Sequence, residues 1–221
     1  GDDTYVFTAA GGIDTITELA LGGADKLDYS AYTTDLEIDL STGTAPFTVS
    51  AANIEKVVGG TGADVLQGTT GDDTFFFNDG WGTDLVVDAT PTDNDSINFS
   101  AVTKNVTTTF KSDKSVTVEE GVNRLTVAAT LVVDPAVASG IGCIENVMTG
   151  SGDDTFVFEE NWGQYTITTA GISDYDTLDF SAVTKDLTFT IHDDGTVSVT
   201  DFTGNTLGES IGIEKIIGGQ G

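Results

Sequence analysis

Acidic residues in this chain close glycine-rich bends, an arrangement that can bind a metal ion. The stretch "GGTGAD" at residues 59–64 ends in Asp64, and "GTTGDD" at residues 68–73 ends in Asp73. Glycine allows backbone conformations that turn carbonyl oxygens toward one point, and the aspartate adds a carboxylate. Such an all-oxygen set suits Ca²⁺, which takes about six to eight oxygen ligands, better than Mg²⁺ or Zn²⁺. We therefore expect Ca²⁺ to be the cofactor.

These bends belong to an internal repeat. "GDDTYVF" at Gly1 returns as "GDDTFFF" at Gly71 and as "GDDTFVF" at Gly152. Each copy then contains a second landmark ("DKLDYSA", "DSINFSA", "DTLDFSA") and closes with a third ("IEKVVGG", "IENVMTG", "IEKIIGG"). We therefore treat the chain as one continuous segment of three sub-repeats, which cover residues 1–70, 71–151 and 152–221.

The two ends of the sequence fit the same scheme. The final "GGQG" would run into "GDDTYVF" if Gly221 took the place of Gly1 in a following unit, just as "TGSG" runs into "GDDTFVF" inside the chain. This match predicts a longer repetitive protein, with neighbouring units of the same long chain or filament as partners.

Bend aspartates recur at fixed positions in the copies, and each is a candidate ligand. Beside Asp64 and Asp73, the set comprises Asp3, Asp14, Asp25, Asp84, Asp95, Asp154 and Asp176. Tyr165 stands where the third copy would have its middle aspartate. We expect that bend to bind no ion.

Between bends, apolar and polar residues alternate, which predicts short β-strands. Phe75 and Phe77 follow Asp73 in this way, and Leu66 stands two residues after Asp64. The pattern has period two. Because equivalent bends return at a fixed interval, it favours a solenoid of parallel strands over a hairpin sandwich. We expect an all-β fold, with the stretch 119–139 of the longest copy as an inserted rung of the solenoid or a surface excursion.

The stretch 59–76 resembles two consecutive nonapeptides, G-G-x-G-x-D-x-U-x, of the RTX (hemolysin-type calcium-binding repeat) family. The resemblance implies a right-handed parallel β-roll with calcium-binding bends. It also implies that Asp64 and Asp73 are side-chain ligands, and that backbone carbonyls are supplied by Gly59, Gly60, Gly62 and Gly71. Thr69 departs from the pattern, and the interval of 11 residues between other bends (Asp73 to Asp84) implies a wider coil.

Composition limits the possible functions. Acidic residues number 36 against 8 basic ones, giving a net charge of -28 and a pI near 4.1, so the chain lacks the basic surface that nucleic acid requires. No apolar run is long enough for a transmembrane segment. With one histidine, His192, no Ser/His/Asp catalytic set can be argued, so we expect no enzymatic activity.

The sequence thus predicts a calcium-binding structural module of a secreted or surface-displayed bacterial adhesin, surface-layer or matrix protein that folds on Ca²⁺ binding. The resemblance implies export by type I secretion. Two alternatives stay open. One is a carbohydrate- or surface-binding β-domain, in which Trp81 and Trp162 stack on sugar rings. The other is a β-helix enzyme that modifies polysaccharides.

Overall fold

The computed structural model describes residues 1–8, 16, 18–19, 22–40, 53–88, 93–128, 144–171 and 173–221. These residues contain strands and no helix, which confirms the all-β prediction. In chain order the strands are β1 (Thr4–Val6), β2 (Lys26–Asp28), β3 (Glu37–Asp39), β4 (Lys56–Val58), β5 (Val65–Gln67), β6 (Thr74–Phe76), β7 (Thr83–Val87), β8 (Ser96–Asn98), β9 (Thr107–Phe110), β10 (Val116–Glu120), β11 (Asn123–Val127), β12 (Asn146–Thr149), β13 (Thr155–Phe158), β14 (Gln164–Thr169), β15 (Thr177–Asp179), β16 (Thr188–Ile191), β17 (Val197–Thr200), β18 (Thr206–Ser210) and β19 (Lys215–Ile217).

Within the described residues the strands form two mostly parallel sheets. The first sheet has ten strands in the order β1-β2-β4-β6-β8-β12-β14-β18-β17-β16, and the second has nine in the order β19-β15-β13-β9-β10-β11-β7-β5-β3. From β2 to β8 the chain alternates between the sheets, and each strand of this span pairs in parallel with the next strand of the span in its own sheet. The fold is the solenoid-like arrangement expected from the repeat.

Two antiparallel insertions interrupt the parallel order. In the second sheet, β10 pairs with both β9 and β11, so β9 lies three strands away from β7. In the first sheet, β17 pairs with both β16 and β18 in the same way. The predicted excursion at 119–139 therefore begins inside a hairpin of the sheet; its residues 129–139 lie outside the described residues. The sequence reading did not anticipate the matching insertion in the third copy.

Aromatic residues of the first two landmarks form stacked pairs within the core. The last residue of each opening motif, Phe in all three copies, stacks on the aromatic ring of the following "SA" landmark. The ring centroids are 4.6 Å apart for Phe7 and Tyr29, 4.7 Å for Phe77 and Phe99, and 4.2 Å for Phe158 and Phe180. The residues two positions after Asp64 and Asp73, Leu66 and Phe75, are fully buried, as predicted. Repeating landmarks are thus repeating core contacts.

The two tryptophans belong to this core. Trp81 packs edge-on against Phe99 at 5.0 Å between ring centroids, and Trp162 packs likewise against Phe180 at 5.4 Å. Both side chains are buried. Neither indole presents an open face for stacking on a sugar ring.

The glycines of the closing landmark let one bend lie directly on another. A Cβ added at Gly60 would stand 2.5 Å from the carbonyl oxygen of Tyr32, and one at Gly219 would stand 2.6 Å from that of Val183. The amides of the next residues, Thr61 and Gln220, donate to the same two carbonyls at 2.9 and 2.8 Å. No side chain fits between these backbones. This explains why the closing landmark carries glycine where it packs on the residue that follows an "SA" landmark. In the described part of the chain no helix is long and apolar enough to span a membrane.

Candidate metal centre

The bend aspartates form hydrogen-bonded ladders along the sheets. In each copy, the second aspartate of the opening "GDD" donates its backbone amide to Oδ1 of the aspartate that begins the "SA" landmark. These two aspartates precede neighbouring strands of the same sheet. The distances are 2.7 Å for Asp3 to Asp25, 2.7 Å for Asp73 to Asp95, and 2.8 Å for Asp154 to Asp176. One carboxylate oxygen per bend is therefore used to hold the adjacent bend in register.

The closing landmark continues these ladders with glutamate. The amides of Asp25, Asp95 and Asp176 donate to Oε2 of Glu55, Glu145 and Glu214 at 2.9, 2.9 and 2.8 Å. The closing landmark also donates two backbone hydrogen bonds to the carbonyl of the same aspartate. For example, the amides of Glu145 and Asn146 both donate to the carbonyl of Asp95. The invariant "IE" of the three landmarks is thus a structural requirement of the ladder.

In the second copy three carboxylates come together at the bend before β8. Asp73, Asp88 and Asp95 each offer an oxygen, and these atoms lie within 4.8 Å of one another. All three residues are buried. Oδ1 of Asp73 and Oδ2 of Asp95 are enclosed and receive no hydrogen bond from any described residue. A buried carboxylate oxygen without a donor is costly, so this cluster requires protons or a cation.

The pKa values of the cluster also indicate that it requires protons or a cation. Burial, reinforced by the charges of Asp88 and Asp93, raises the pKa of Asp73 to about 7 and that of Asp95 to about 9. Burial and the same two neighbours raise the pKa of Glu145 to about 7. A divalent cation placed among these oxygens would lower each of these pKa values and replace the retained protons.

The first copy repeats this arrangement at equivalent positions. Asp3, Glu18 and Asp25 bring carboxylate oxygens within 4.8 Å of one another. Residues 3, 18 and 25 each precede their counterparts 73, 88 and 95 by the 70 residues that separate Gly1 from Gly71. This cluster is more open, since Asp3 is exposed and Glu18 is half-buried. Two copies of the repeat therefore build the same three-carboxylate group independently.

The third copy lacks the middle carboxylate. Thr169 occupies the position of Glu18 and Asp88, and its hydroxyl lies 3.3 Å from the carbonyl oxygen of Gly212. Asp154 and Asp176 keep their places, and burial raises the pKa of Asp154 to about 6. Within the described residues no group of three carboxylates forms here. The third copy thus offers a natural comparison for the other two.

Asp64, in the best match to the nonapeptide, has a different environment. Its Oδ2 accepts the amide of Gly60 at 2.7 Å, its Oδ1 accepts the amide of Leu36 at 2.9 Å, and its own amide donates to Oδ1 of Asp84 at 2.9 Å. Both oxygens are therefore occupied by backbone donors that close the bend. Burial raises the pKa of Asp84 to about 8, and Oδ2 of Asp84 receives no hydrogen bond within the described part of the chain.

The glycines predicted to supply carbonyls lie beside these carboxylates. A Cβ at Gly59 would stand 2.8 Å from Oδ2 of Asp64, and one at Gly62 would stand 2.6 Å from the carbonyl carbon of Thr34 in the adjacent bend. The amide of Gly71 donates to Oγ1 of Thr69, whose amide in turn donates to Asp73. Close packing of one bend on the next accounts for glycine at 60 and 62, and the Asp64 carboxylate of the same bend accounts for glycine at 59.

Asp14 lies outside the described residues. Tyr165 is buried in β14, with its ring centroid 4.4 Å from that of Phe110, so its position contributes an aromatic contact in place of a carboxylate.

Glu18 and Asp88 were missed by sequence reasoning. Both lie in stretches that show no glycine-rich bend, but they stand at the same distance after the opening aspartate of their copies. An alignment of the three copies for acidic residues alone would have found them. No protein-family model matches this chain, and no curated protein matches it.

Proposed function

We propose that this chain is a calcium-binding structural module of a secreted or surface-displayed bacterial protein, in which ion binding is coupled to folding. The observation that carries the proposal is the buried group formed by Asp73, Asp88 and Asp95, in which two carboxylate oxygens have no hydrogen-bond donor among the described residues. The matching group around Glu18 supports it, because the same chemistry recurs where the repeat recurs.

The donor set fits a hard cation. Three buried carboxylates within 4.8 Å repel one another unless positive charge lies between them. The groups contain only oxygen donors, and Ca²⁺ accepts irregular sets of carboxylate and carbonyl oxygens more readily than Mg²⁺ does. A bound Ca²⁺ would be held by Asp73, Asp88 and Asp95, and it would neutralise charge that burial leaves uncompensated.

The position of the groups supports a structural role. Asp73 precedes β6 and Asp95 precedes β8, and these strands are adjacent in the first sheet. An ion held by both residues therefore links successive strands of the solenoid. With a net charge of -28, the chain repels itself when calcium is scarce, and binding at about 10⁻⁴ to 10⁻³ M, typical of extracellular modules, would supply folding free energy after export.

Isothermal titration calorimetry on matched variants tests the proposal. Asp88→Asn and Glu18→Gln each remove the middle carboxylate of one group, and we expect each to reduce the number of bound Ca²⁺ ions by one. Thr169→Ala changes the equivalent position of the third copy and should leave the stoichiometry unchanged. Equal stoichiometry in all four proteins, wild type included, would refute the assignment of these groups as the binding sites.

A further inference from the structure

The two ends of the first sheet present different strand edges. In the order of that sheet, β1 stands at one end and β16 at the other, and neither has a second neighbouring strand among the described residues. Two apolar side chains mark the β16 end: Ile191 is 73% exposed, and Phe189 is only partly buried. An apolar strand edge of this kind is a template for pairing with a further strand.

The same chain shows what such an edge pairs with. β16 of the third copy corresponds to β9 of the second, because each starts a three-stranded antiparallel insertion. The free side of β9 is covered by β13, which pairs with it in parallel, with Thr155 opposite Thr107 and Phe158 opposite Phe110. Phe110, the counterpart of Ile191, is fully buried. Its ring lies 4.8 Å from that of Phe158.

The strand that covers β9 has a near-duplicate at the other end of the sheet. β13 belongs to "GDDTFVF" at residues 152–158, and β1 belongs to "GDDTYVF" at residues 1–7. The two heptapeptides differ only in Tyr5, which replaces Phe156. A segment with the sequence that fits the edge is therefore present at the opposite end of the same molecule.

We infer that the β16 edge binds β1 of a second copy of this chain. The register of β13 on β9 places Thr4 of the second copy opposite Thr188, Tyr5 opposite Phe189, and Phe7 opposite Ile191. In the internal pairing, Oδ1 of Asp154 accepts the amide of Val106 at 2.8 Å. Asp3 and Leu187 are the counterparts of these two residues, so the same register brings Asp3 of the second copy to the amide of Leu187.

The contact joins two different surfaces, so it is heterologous and does not close on itself. Each added copy brings its own β16 edge, which leaves the assembly open for the next copy and extends the first sheet from one molecule to another. The inference rests on strand pairing and not on the calcium proposal, since a chain that folds without calcium presents the same two edges.

Disulfide trapping between two single-cysteine variants tests the register. In a Cys143→Ser background, Thr4→Cys is mixed with Thr188→Cys under mild oxidation and the products are resolved on a non-reducing gel. Both threonines are exposed in the single chain. We expect heterodimer at several times the yield obtained when Thr4→Cys is mixed with Ser100→Cys, an exposed position away from the edge. Equal yields in the two mixtures would overturn the inference.

Sedimentation velocity on the intact chain gives an independent readout. Ile191→Lys places a charge on the β16 edge, and we expect it to weaken self-association at least tenfold. Val122→Lys makes the same kind of change at a side chain that is 92% exposed but lies in the hairpin turn between β10 and β11, and association should be unchanged. Circular dichroism confirms that each variant is folded. A wild-type chain that stays monomeric when folded would contradict the proposal.

Discussion

Replacing Asp73 with asparagine should change stability in opposite directions with and without calcium. Oδ2 of Asp73 accepts the amide and the hydroxyl of Thr69 at 2.6 and 3.0 Å, and an asparagine oxygen can accept both bonds. The other oxygen has no donor within the described residues, and an amide nitrogen there can donate toward Asp88 or Asp95. Asp73→Asn therefore removes a buried charge and keeps the bend intact.

The size of the stability change in chelator follows from the pKa of the Asp73 carboxyl. Burial raises it from 3.8 to about 7, and at about 1.4 kcal/mol per pH unit this interval corresponds to about 4 kcal/mol of folding free energy. In chelator at neutral pH, Asp73→Asn should recover a large part of that cost, on the order of 2–4 kcal/mol. In saturating Ca²⁺ the same change removes a ligand, so we expect a calcium affinity about tenfold weaker or worse and a less stable protein than wild type.

Urea unfolding followed by circular dichroism measures both effects: in chelator at neutral pH, Asp73→Asn should keep more β signal than wild type and lose it at a higher urea concentration, and in excess calcium it should unfold at a lower one. Asp154→Asn is the matched control, because Asp154 holds the equivalent position in the copy where Thr169 replaces the middle carboxylate. Burial raises the pKa of Asp154 to about 6, so asparagine should stabilise the protein under both conditions. If Asp73→Asn also stabilised the protein in calcium, the carboxylate would not be a ligand and the reasoning would fail.

Four further outcomes can be measured. In chelator, stability should fall as pH rises from about 4 to about 8, because burial raises the folded-state pKa values of Asp154 (to about 6) and Asp84 (to about 8) above the ordinary 3.8, so the unfolded chain ionises first. Urea midpoints across this pH range check the prediction, and a rising midpoint would contradict it. Thr169→Asp completes the third group and should add one bound Ca²⁺ in calorimetry, whereas an unchanged stoichiometry would show that three carboxylates are insufficient. Gly150→Ala should cost about 1–3 kcal/mol or more, since its Cβ would meet the carbonyl oxygen of Val102, and an unchanged melting temperature would rule out this packing. Phe158→Ala should cost about 3–5 kcal/mol in urea unfolding, because the ring stacks on both Phe110 and Phe180; a loss below 1 kcal/mol would contradict the aromatic core.

The strand pattern and part of the core could be predicted from the sequence because they depend on local order. Alternation after each bend placed Leu66 and Phe75 in the core, and the fixed spacing of bends favoured parallel strands. These features repeat along the chain, and a solenoid stacks equivalent residues at equivalent positions.

The grouping of carboxylates could not be predicted in the same way. Asp88 joins Asp73 and Asp95 only because one bend folds over another, and no local motif marks it. Conversely, Asp64 has the best local motif, but its two oxygens accept amides from Gly60 and Leu36. A motif identifies a bend, whereas the neighbouring strand decides what the carboxylate in that bend contacts.

The insertion β16–β18 was missed for a related reason. Its polar and apolar residues alternate like those of any other strand in the chain, so the sequence does not distinguish an antiparallel hairpin from successive parallel strands. The pairing with β14 through β18 sets β16 at the edge of the first sheet.

Far-UV circular dichroism of the metal-free chain during a calcium titration, with magnesium as the control, tests the central claim most directly. We predict a cooperative gain of β signal with Ca²⁺ that Mg²⁺ does not reproduce, because the buried carboxylate groups are neutralised only by an ion that accepts their irregular oxygen sets. A full β spectrum in chelator at neutral pH, with neither the spectrum nor the melting temperature changed by calcium, would contradict the claim.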